Sequence, residues 1–339
     1  MISNNKYKGI AAGIVAAVAY GTNPLFGLPL MKAGIHPSSL LIYRFIMAAC
    51  LIALLIKFSG QHFSVTRKQN FWLVIQGNIL AVTALTLFLS FSVMDSGLAA
   101  TLLFVYPVLV MVIMICFFHE KLRLSTILGT AGALAGIVML QAGGNEGRIN
   151  PQGVCYVMIS AFTYSLYIIA IRQTPLKEIS SEKITFYSLL YGIPLLLVPL
   201  RGGIDLQMLP DWRSFGYIIG LALLPAGLSF IMTAKAVKFA GPTVTAILGA
   251  LEPLTALLIG ITVFGERLSL SQSGGVILII GAVIIIISGQ REKNPEHLEH
   301  HSAPKVPDQI SQLFIRLTTP DKAARYQSVY ESKHRIFRE

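Results

Sequence analysis

Residues 101–140 read TLLFVYPVLVMVIMICFFHEKLRLSTILGTAGALAGIVML, and residues 247–286 read ILGALEPLTALLIGITVFGERLSLSQSGGVILIIGAVIII. The residues that the two stretches share at a constant offset of 146 include Pro107 and Pro253, Glu120 and Glu266, Leu122 and Leu268, Leu124 and Leu270, and Gly129 and Gly275. Both copies are apolar enough to cross a membrane. An internal duplication of apolar spans is typical of secondary transporters built from two related halves.

The composition of the whole chain is that of a membrane protein. Hydrophobic residues make up 54% of it and charged residues only 13%, whereas a soluble domain has about 25% charged residues. The mean hydropathy is +0.67. A helix needs about 20 apolar residues to cross the hydrocarbon. Ten such segments are predicted, at residues 9–28, 40–58, 71–94, 98–118, 124–141, 153–171, 184–200, 215–234, 243–264 and 274–289.

Lysine and arginine residues are distributed unequally between alternate loops. With the N-terminus in the cytoplasm, fourteen lie on the inner side of the spans, and five lie on the outer side: Lys32, Arg148, Arg201, Arg213 and Arg267. Because these residues concentrate in cytoplasmic loops, we expect a multi-pass protein of the inner (plasma) membrane with both termini in the cytoplasm. The net charge of +11 is then mainly a topology signal, and no basic soluble face indicates nucleic-acid binding.

Each repeat contains five spans, an odd number, so the two tandem copies must have opposite orientations in the membrane. We therefore predict an all-α membrane protein with ten transmembrane helices in two inverted five-helix repeats. The first repeat covers residues 1–145 and the second covers residues 146–290. Residues 291–339 form a polar tail, which we expect in the cytoplasm.

Several short motifs occur in a fixed order along the spans. They are Tyr20-Gly21-Thr22-Asn23-Pro24, Tyr43-Arg44-Phe45, Pro107 with Glu120-Lys121-Leu122, and Leu251-Glu252-Pro253 with Gly265-Glu266-Arg267-Leu268. With these motifs the chain resembles the EamA family of the drug/metabolite transporter superfamily. The resemblance implies that spans one to four and six to nine surround a central cavity, and that spans five and ten pack outside it. It also implies transport of small metabolites such as amino acids, often outward.

Polar side chains on the spans are the candidates for substrate binding, because they are costly in hydrocarbon and usually face the bundle interior. Span six has the clearest polar face, with Ser160, Thr163, Tyr164 and Tyr167 at helical spacing. The predicted substrate-binding residues are Tyr20, Asn23, Arg44, Thr83, Thr86, Tyr106, Thr163, Tyr164, Tyr167, Tyr187, Tyr191, Thr245 and Glu252. Packing is the alternative for the hydroxyl residues, which often bond helix carbonyls, and tyrosines near the outer ends can anchor at the membrane interface.

Two ionisable residues lie within the predicted spans. Arg44 is near the outer end of span two, where its guanidinium could extend to the headgroups or hold an anionic substrate group by a bidentate pair. Glu252 lies near the middle of span nine and could bind a proton or a substrate cation, or bond a helix backbone as a protonated acid. Pro253 should free a backbone carbonyl near Leu248 or Gly249 as a further ligand.

Other residues in the spans are read as structural. Glu120 and Glu266 end spans four and nine, where Lys121, Arg267 or the following helix N-termini are the expected partners. Gly132 and Gly136 form a G-x-x-x-G pattern that allows close helix approach, and this face could support a homodimer.

The chain shows no sign of catalytic or cofactor chemistry. It has three cysteines without zinc spacing, and it lacks a P-loop and a nucleophile elbow. We therefore expect no catalytic residue, no metal site and no cofactor.

The predicted partners are a small-molecule substrate and the lipid bilayer. The favoured function is a secondary transporter, not an enzyme, that exports a small organic metabolite such as an amino acid by alternating access. The alternatives are a polytopic membrane enzyme acting on lipid and a passive facilitator or channel.

The charge asymmetry predicts the position of the C-terminal side of the last span. A reporter fused after Gln290 should be active only if the reporter works in the cytoplasm, because ten spans return the chain to the side of its N-terminus. Paired cytoplasmic and periplasmic reporters measure this directly. Activity of the periplasmic reporter at this position would mean that the number of spans is odd.

Overall fold

The computed structural model of the protein describes residues 2–94, 96–121, 123–142, 150–264 and 269–289. The polar tail predicted at residues 291–339 lies outside the described residues. So do Glu266 and Arg267, and their predicted roles at the end of span nine therefore stay predictions.

The described residues form fourteen α-helices. They are α1 (Ile2–Tyr20), α2 (Asn23–Lys32), α3 (Pro37–Phe58), α4 (Arg67–Val93), α5 (Ser96–Leu103), α6 (Tyr106–Phe118), α7 (Leu124–Ala142), α8 (Pro151–Gln173), α9 (Ser181–Leu197), α10 (Trp212–Leu221), α11 (Ser229–Ala240), α12 (Pro242–Leu248), α13 (Leu251–Phe264) and α14 (Leu270–Gly289). A π-helical turn, Ala222–Leu228, joins α10 to α11, and two 3₁₀ turns, Pro175–Glu178 and Val198–Gly203, flank α9.

These helices form nine segments that are long and apolar enough to cross a membrane within the described part of the chain. Four segments combine two helices each, because α1 with α2, α5 with α6, α10 with α11, and α12 with α13 each continue in one direction. The remaining predicted span, the fifth at residues 124–141, corresponds to α7, whose apolar stretch Leu124–Leu140 is shorter than the nine segments. The all-α architecture predicted from the sequence is confirmed.

Local sequence signals set the helix boundaries. Pro37 and Pro151 stand at the first positions of α3 and α8, where a missing N–H costs nothing. Thr66 caps α4 through a reciprocal pair of bonds with Gln69. Asp211 caps α10 and accepts a hydrogen bond of 2.7 Å from the Ser214 amide. The hydrogen bonds from Ser214 hold the pKa of this carboxyl below its usual range.

Helix packing between the two halves is reciprocal. The first span packs on the eighth through α1 and α11, and the sixth packs on the third through α8 and α4. Likewise α6 contacts α8, and α13 contacts α1. A contact that recurs with the two repeats exchanged is what a pseudo-two-fold relation produces. The inverted-repeat plan is therefore visible in the contacts between the halves.

Glycines allow close packing between α7 and α14, the last spans of the two repeats. A Cβ atom at Gly136 would lie 2.8 Å from the Gly275 carbonyl oxygen, and one at Gly275 would lie 2.6 Å from the Gly136 oxygen. A Cβ at Gly129 would lie 3.3 Å from the Ala282 oxygen. Gly129 is the repeat equivalent of Gly275, and Gly136 is the repeat equivalent of Ala282. The Gly129–Ala282 contact is therefore the Gly136–Gly275 contact with the two repeats exchanged. The expectation of a free dimer face at Gly132 and Gly136 is wrong, because α14 covers both glycines.

Glu120 bridges the two repeats at one end of the bundle. Its carboxylate accepts a hydrogen bond of 2.8 Å from the Thr243 hydroxyl in the first turn of α12. The partner is therefore a residue of the second repeat rather than the adjacent Lys121 that the sequence suggested.

Two glycine-to-alanine changes test the packing of α7 on α14. Gly136→Ala should lower the thermal stability of the purified protein, because overpacking of this kind costs about 1–3 kcal/mol. Gly281→Ala is the matched control, since its Cβ would meet nothing within 4 Å. It should leave the stability unchanged or raise it through helix propensity. Equal melting temperatures for the two variants would contradict the close packing.

Candidate functional site

Three of the composite spans are interrupted, and the interruptions meet in the bundle interior. The breaks fall between α1 and α2 at Gly21 and Thr22, between α5 and α6 at Phe104 and Val105, and between α12 and α13 at Gly249 and Ala250. Pro24, Pro107 and Pro253 stand just beyond these breaks. Proline lacks the N–H that would continue the helix ladder, so each break has a local cause in the sequence.

A glycine at one break meets a residue at another. A Cβ atom at Gly21 would lie 2.6 Å from the Glu252 carbonyl oxygen, so the first span approaches α13 as closely as glycine permits. Of the two carbonyls that Pro253 was expected to free, that of Leu248 stays a prediction, and the expectation is wrong for that of Gly249. That oxygen accepts a hydrogen bond of 2.8 Å from the Glu252 amide, because the chain tightens at the break.

A cavity opens where the broken helices meet. Its lining combines small residues, three tyrosines and one acid. The lining residues are Gly13, Ala16, Ala17, Tyr20, Tyr106, Tyr164, Ile168, Ser229, Thr233, Thr245, Gly249 and Glu252. Five of the predicted site residues therefore share one wall: Tyr20, Tyr106, Tyr164, Thr245 and Glu252. Their role in substrate binding stays a prediction.

Tyr106 and Glu252 occupy equivalent positions in the two repeats, each directly before the proline of a broken span. The Tyr106 hydroxyl donates to the Ala246 carbonyl oxygen at 3.1 Å, and the Tyr106 carbonyl accepts from the Ser165 hydroxyl at 3.1 Å. Tyr106 is thus fixed at both ends. The Glu252 carboxylate forms no hydrogen bond or ion pair with any described residue, and it faces the cavity.

Aromatic rings build the rest of the wall. The Tyr106 and Tyr164 rings pack edge to face with centroids 4.8 Å apart, and Tyr164 and Tyr167 are stacked at 6.1 Å. Phe230 connects to this group, since its centroid lies 6.0 Å from those of both Tyr20 and Tyr167. Tyr167 is fully buried, and its hydroxyl has no hydrogen-bond partner among the described residues. It supports the wall from behind and is absent from the cavity lining.

Arg44 lies close to the same wall. It is 1% exposed, so the guanidinium does not extend to the membrane surface, and the snorkelling alternative is wrong. Its Nη1 donates to Asn23 Oδ1 at 3.2 Å. The guanidinium carbon lies 5.9 Å from the centroid of the Tyr20 ring and 5.8 Å from that of Phe230.

The remaining predicted residues lie elsewhere. Thr83 and Thr163 bond each other at 2.7 Å between α4 and α8, and each also bonds a carbonyl of its own helix. Thr86 donates to the Val82 carbonyl. None of the three lines this cavity, and their contacts are those of the packing alternative.

Tyr187 and Tyr191 are also separate from the cavity. The Tyr187 hydroxyl donates to the Phe63 carbonyl at 2.7 Å, and the Tyr191 hydroxyl donates to Asn70 Oδ1 at 2.6 Å. Tyr187 thus ties α9 to the loop before α4, and Tyr191 ties it to the first turn of α4. Their helical spacing indicated a shared face, which they have, but it could not indicate which end of the bundle that face meets.

Sequence reasoning missed the contribution of the eighth span. Ser229 and Thr233 line the cavity one helical turn apart, and Phe230 packs on Tyr20 between them. The spacing of the two hydroxyl residues was a signal of the same kind as that in span six. The π-helical turn before Ser229 contains Pro225, and π-helical turns occur frequently at functional sites.

Comparison with known proteins agrees with this architecture. Two segments of the chain, residues 7–141 and 151–288, each match the EamA-like transporter family. The chain belongs to this family. Each match covers one predicted repeat. The reciprocal helix contacts in the structure agree with this division.

Individual relatives carry the same general description. An uncharacterized transporter from Archaeoglobus fulgidus is 26% identical over 56% of this chain and 67% of its own length. The uncharacterized inner membrane transporter YedA of Escherichia coli is 25% identical over 58% of this chain and 63% of its own length. An uncharacterized transporter from Clostridium kluyveri is 23% identical over 85% of this chain and 95% of its own length.

A solved crystal structure has the same fold. It superposes with a TM-score of 0.71 over 85% of this chain and all of the solved chain, at 18% identity. At this identity the similarity concerns the fold alone.

The contact between Gly249 and Tyr106 can be tested by a double-mutant cycle. A methyl group at Gly249 would overlap the Tyr106 hydroxyl, so Gly249→Ala should lower the melting temperature. Tyr106→Phe removes that oxygen and should reduce the cost of Gly249→Ala, giving a coupling energy of about 0.5–3 kcal/mol. Gly216→Ala serves as the control, because its Cβ would meet nothing within 4 Å. Additive effects of Gly249→Ala and Tyr106→Phe would show that the two residues do not touch.

Proposed function

We propose that this chain is a secondary transporter that exports a small organic metabolite, such as an amino acid, across the inner (plasma) membrane by alternating access. Its membership of a transporter family supports the general class. The export direction, the substrate class and the cytoplasmic location of both termini are our proposals from the sequence. A homodimer is compatible with the proposal, although the face first considered for it is covered within the chain.

The meeting of three broken spans at one cavity is the observation that carries the proposal. Irregular backbone at membrane depth is tolerated only where protein buries it or where it lines a cavity. In secondary transporters such interruptions occur at the substrate site between inverted repeats. Tyr20, Tyr106 and Glu252 stand at these interruptions and also line the cavity.

Glu252 gives the cavity its chemistry in this proposal. Its carboxylate faces the cavity without a partner among the residues that the structure describes, and an unpaired charge at the centre of a membrane helix costs at least about 2.5–3.5 kcal/mol. The side chain is therefore either protonated at rest or neutralised by a cation. A proton and a substrate ammonium group both meet this requirement, and exchange between them would couple transport to a proton gradient.

A carrier differs from the alternative functions in its kinetics. In proteoliposomes a carrier saturates with substrate and shows counterflow, whereas a passive channel shows neither. Growth rescue under toxic levels of individual amino acids and their analogues would identify the substrate for such measurements. A lipid-modifying enzyme would instead change the lipid composition of the vesicles, which thin-layer chromatography detects.

Replacing Glu252 tests its role directly. Glu252→Gln keeps the shape and hydrogen-bonding capacity of the side chain but cannot ionise, so gradient-driven transport should be lost while membrane insertion persists. Glu252→Asp should retain some transport with a shifted pH profile. Flux into proteoliposomes under an imposed pH gradient measures both effects.

The exposed acid Glu178, in the 3₁₀ turn before α9, provides the control. Glu178→Gln removes one carboxylate away from the cavity and should transport as the unmodified protein does. Wild-type flux and pH dependence in Glu252→Gln would leave Glu252 as a structural residue.

A further inference from the structure

Arg44 carries hydrogen-bonding capacity that the protein does not use. Nη1 donates to the Asn23 side-chain oxygen at 3.2 Å. Nε and Nη2 are enclosed by protein and reach no acceptor among the described residues. The free groups lie side by side on one edge of the planar guanidinium, the edge that pairs with both oxygens of a carboxylate.

Such a residue is expensive to keep in a membrane protein. A buried N–H without an acceptor loses its bonds to water and gains nothing in return. Ionisable residues within spans usually pair with one another or with backbone carbonyls, and those that face a pathway mark a functional site. Arg44 is fully paired neither with another ionisable residue nor with backbone carbonyls among the described residues. Stability alone therefore does not explain its presence.

The surroundings of Arg44 stabilise its charge but leave its free edge unpaired. The rings of Tyr20 and Phe230 lie within 6 Å of the guanidinium carbon, a distance at which aromatic faces attract cations. Ring faces accept none of the in-plane N–H bonds. Two rings therefore make a positive charge tolerable at this place without neutralising it.

Arg44 is one side chain behind the cavity wall. Tyr20 contacts the guanidinium and also lines the cavity, and Phe230 follows Ser229, which lines it too. Asn23 holds the guanidinium from the break between α1 and α2. Glu252 lines the same cavity but forms no ion pair with Arg44, since no described residue bonds its carboxylate. Arg44 behind the wall and Glu252 in its lining therefore do not pair with each other.

We propose that Arg44 is the anion subsite of the transport site and that the transported molecule carries a carboxylate. This assignment rests on the proposed transport function. The two carboxylate oxygens accept bonds from Nε and Nη2, and a turn of the Tyr20 ring gives the substrate access from the cavity. With Glu252 in the lining of the same cavity, the site selects a small molecule with a carboxylate at one end and a proton-carrying or cationic group at the other.

The proposal is tested with matched probe pairs that differ only at the carboxylate. The pairs are benzoate and benzamide, and L-phenylalanine and L-phenylalaninamide. Thermal unfolding of the purified full-length protein is measured over a concentration series of each probe. The carboxylate of at least one pair should stabilise the protein at lower concentration than its amide does.

Three variants assign this preference to Arg44. Arg44→Gln should weaken carboxylate binding roughly 10- to 150-fold, the factor for one lost hydrogen bond to a charged group, and should abolish the preference. Arg44→Lys keeps the charge without the bidentate edge and should retain part of it. Arg213→Gln removes an exposed arginine at the start of α10 and should behave as the unmodified protein.

Three outcomes of the probe titrations would overturn the proposal. They are an equal response to both members of each pair, a preference for amides, and no response to any carboxylate.

Arg44→Met separates a structural role from a binding role. If Arg44 serves binding, replacing its unpaired charge by an apolar chain of similar length should leave the melting temperature unchanged or raise it. A large loss of stability in the methionine variant would make Arg44 a structural residue. Carboxylate binding without flux would refute transport but keep the subsite. Saturable carboxylate flux that is unchanged in Arg44→Gln would refute the subsite but keep transport.

Discussion

The hydrocarbon core of the membrane imposes the condition on which the rest of this structure depends. Within it, every backbone N–H and C=O must find a partner inside the protein. A continuous helix meets this condition by itself, whereas a broken helix meets it only where neighbouring elements cover the break. The breaks near Gly21, Val105 and Gly249 are covered by one another, which brings their flanking side chains to one cavity. The site is therefore a consequence of where backbone irregularity can be hidden.

Duplication of the chain supplies the scaffold for this arrangement, and glycine supplies the fit. The α7–α14 contact at Gly136 and Gly275 has its exchanged copy at Gly129 and Ala282, so one local solution serves both repeats. Without a hydrophobic driving force between helices in lipid, such close approach is a main source of association. The break between α12 and α13 follows the same rule, because Gly249 leaves room for the Tyr106 hydroxyl.

The fold could be predicted from the sequence because its signals are long and redundant. Ten apolar segments, a constant repeat offset and asymmetric loop charge all lead to one architecture. The site could be predicted only in part. Helical spacing identified Tyr164 correctly as a cavity-facing residue, but spacing gives a face and not a depth, so Tyr187 and Tyr191 were grouped with a cavity they do not line. The Thr243 partner of Glu120 is 123 residues away and had no local signal.

The two repeats share a backbone plan but differ in chemistry at the cavity. At equivalent positions before a proline, the first repeat has Tyr106, whose hydroxyl bonds the Ala246 carbonyl, and the second has Glu252, whose carboxylate bonds none of the described residues. Span two carries Arg44 behind the cavity wall, whereas the seventh span, at residues 184–200, contains no arginine. A symmetric scaffold with asymmetric charges gives a bound molecule one preferred orientation. In the alternating-access cycle that we propose, the same oriented groups would face each side in turn, so the gradient of a neutralising proton or cation, rather than the scaffold, would set the direction of net transport.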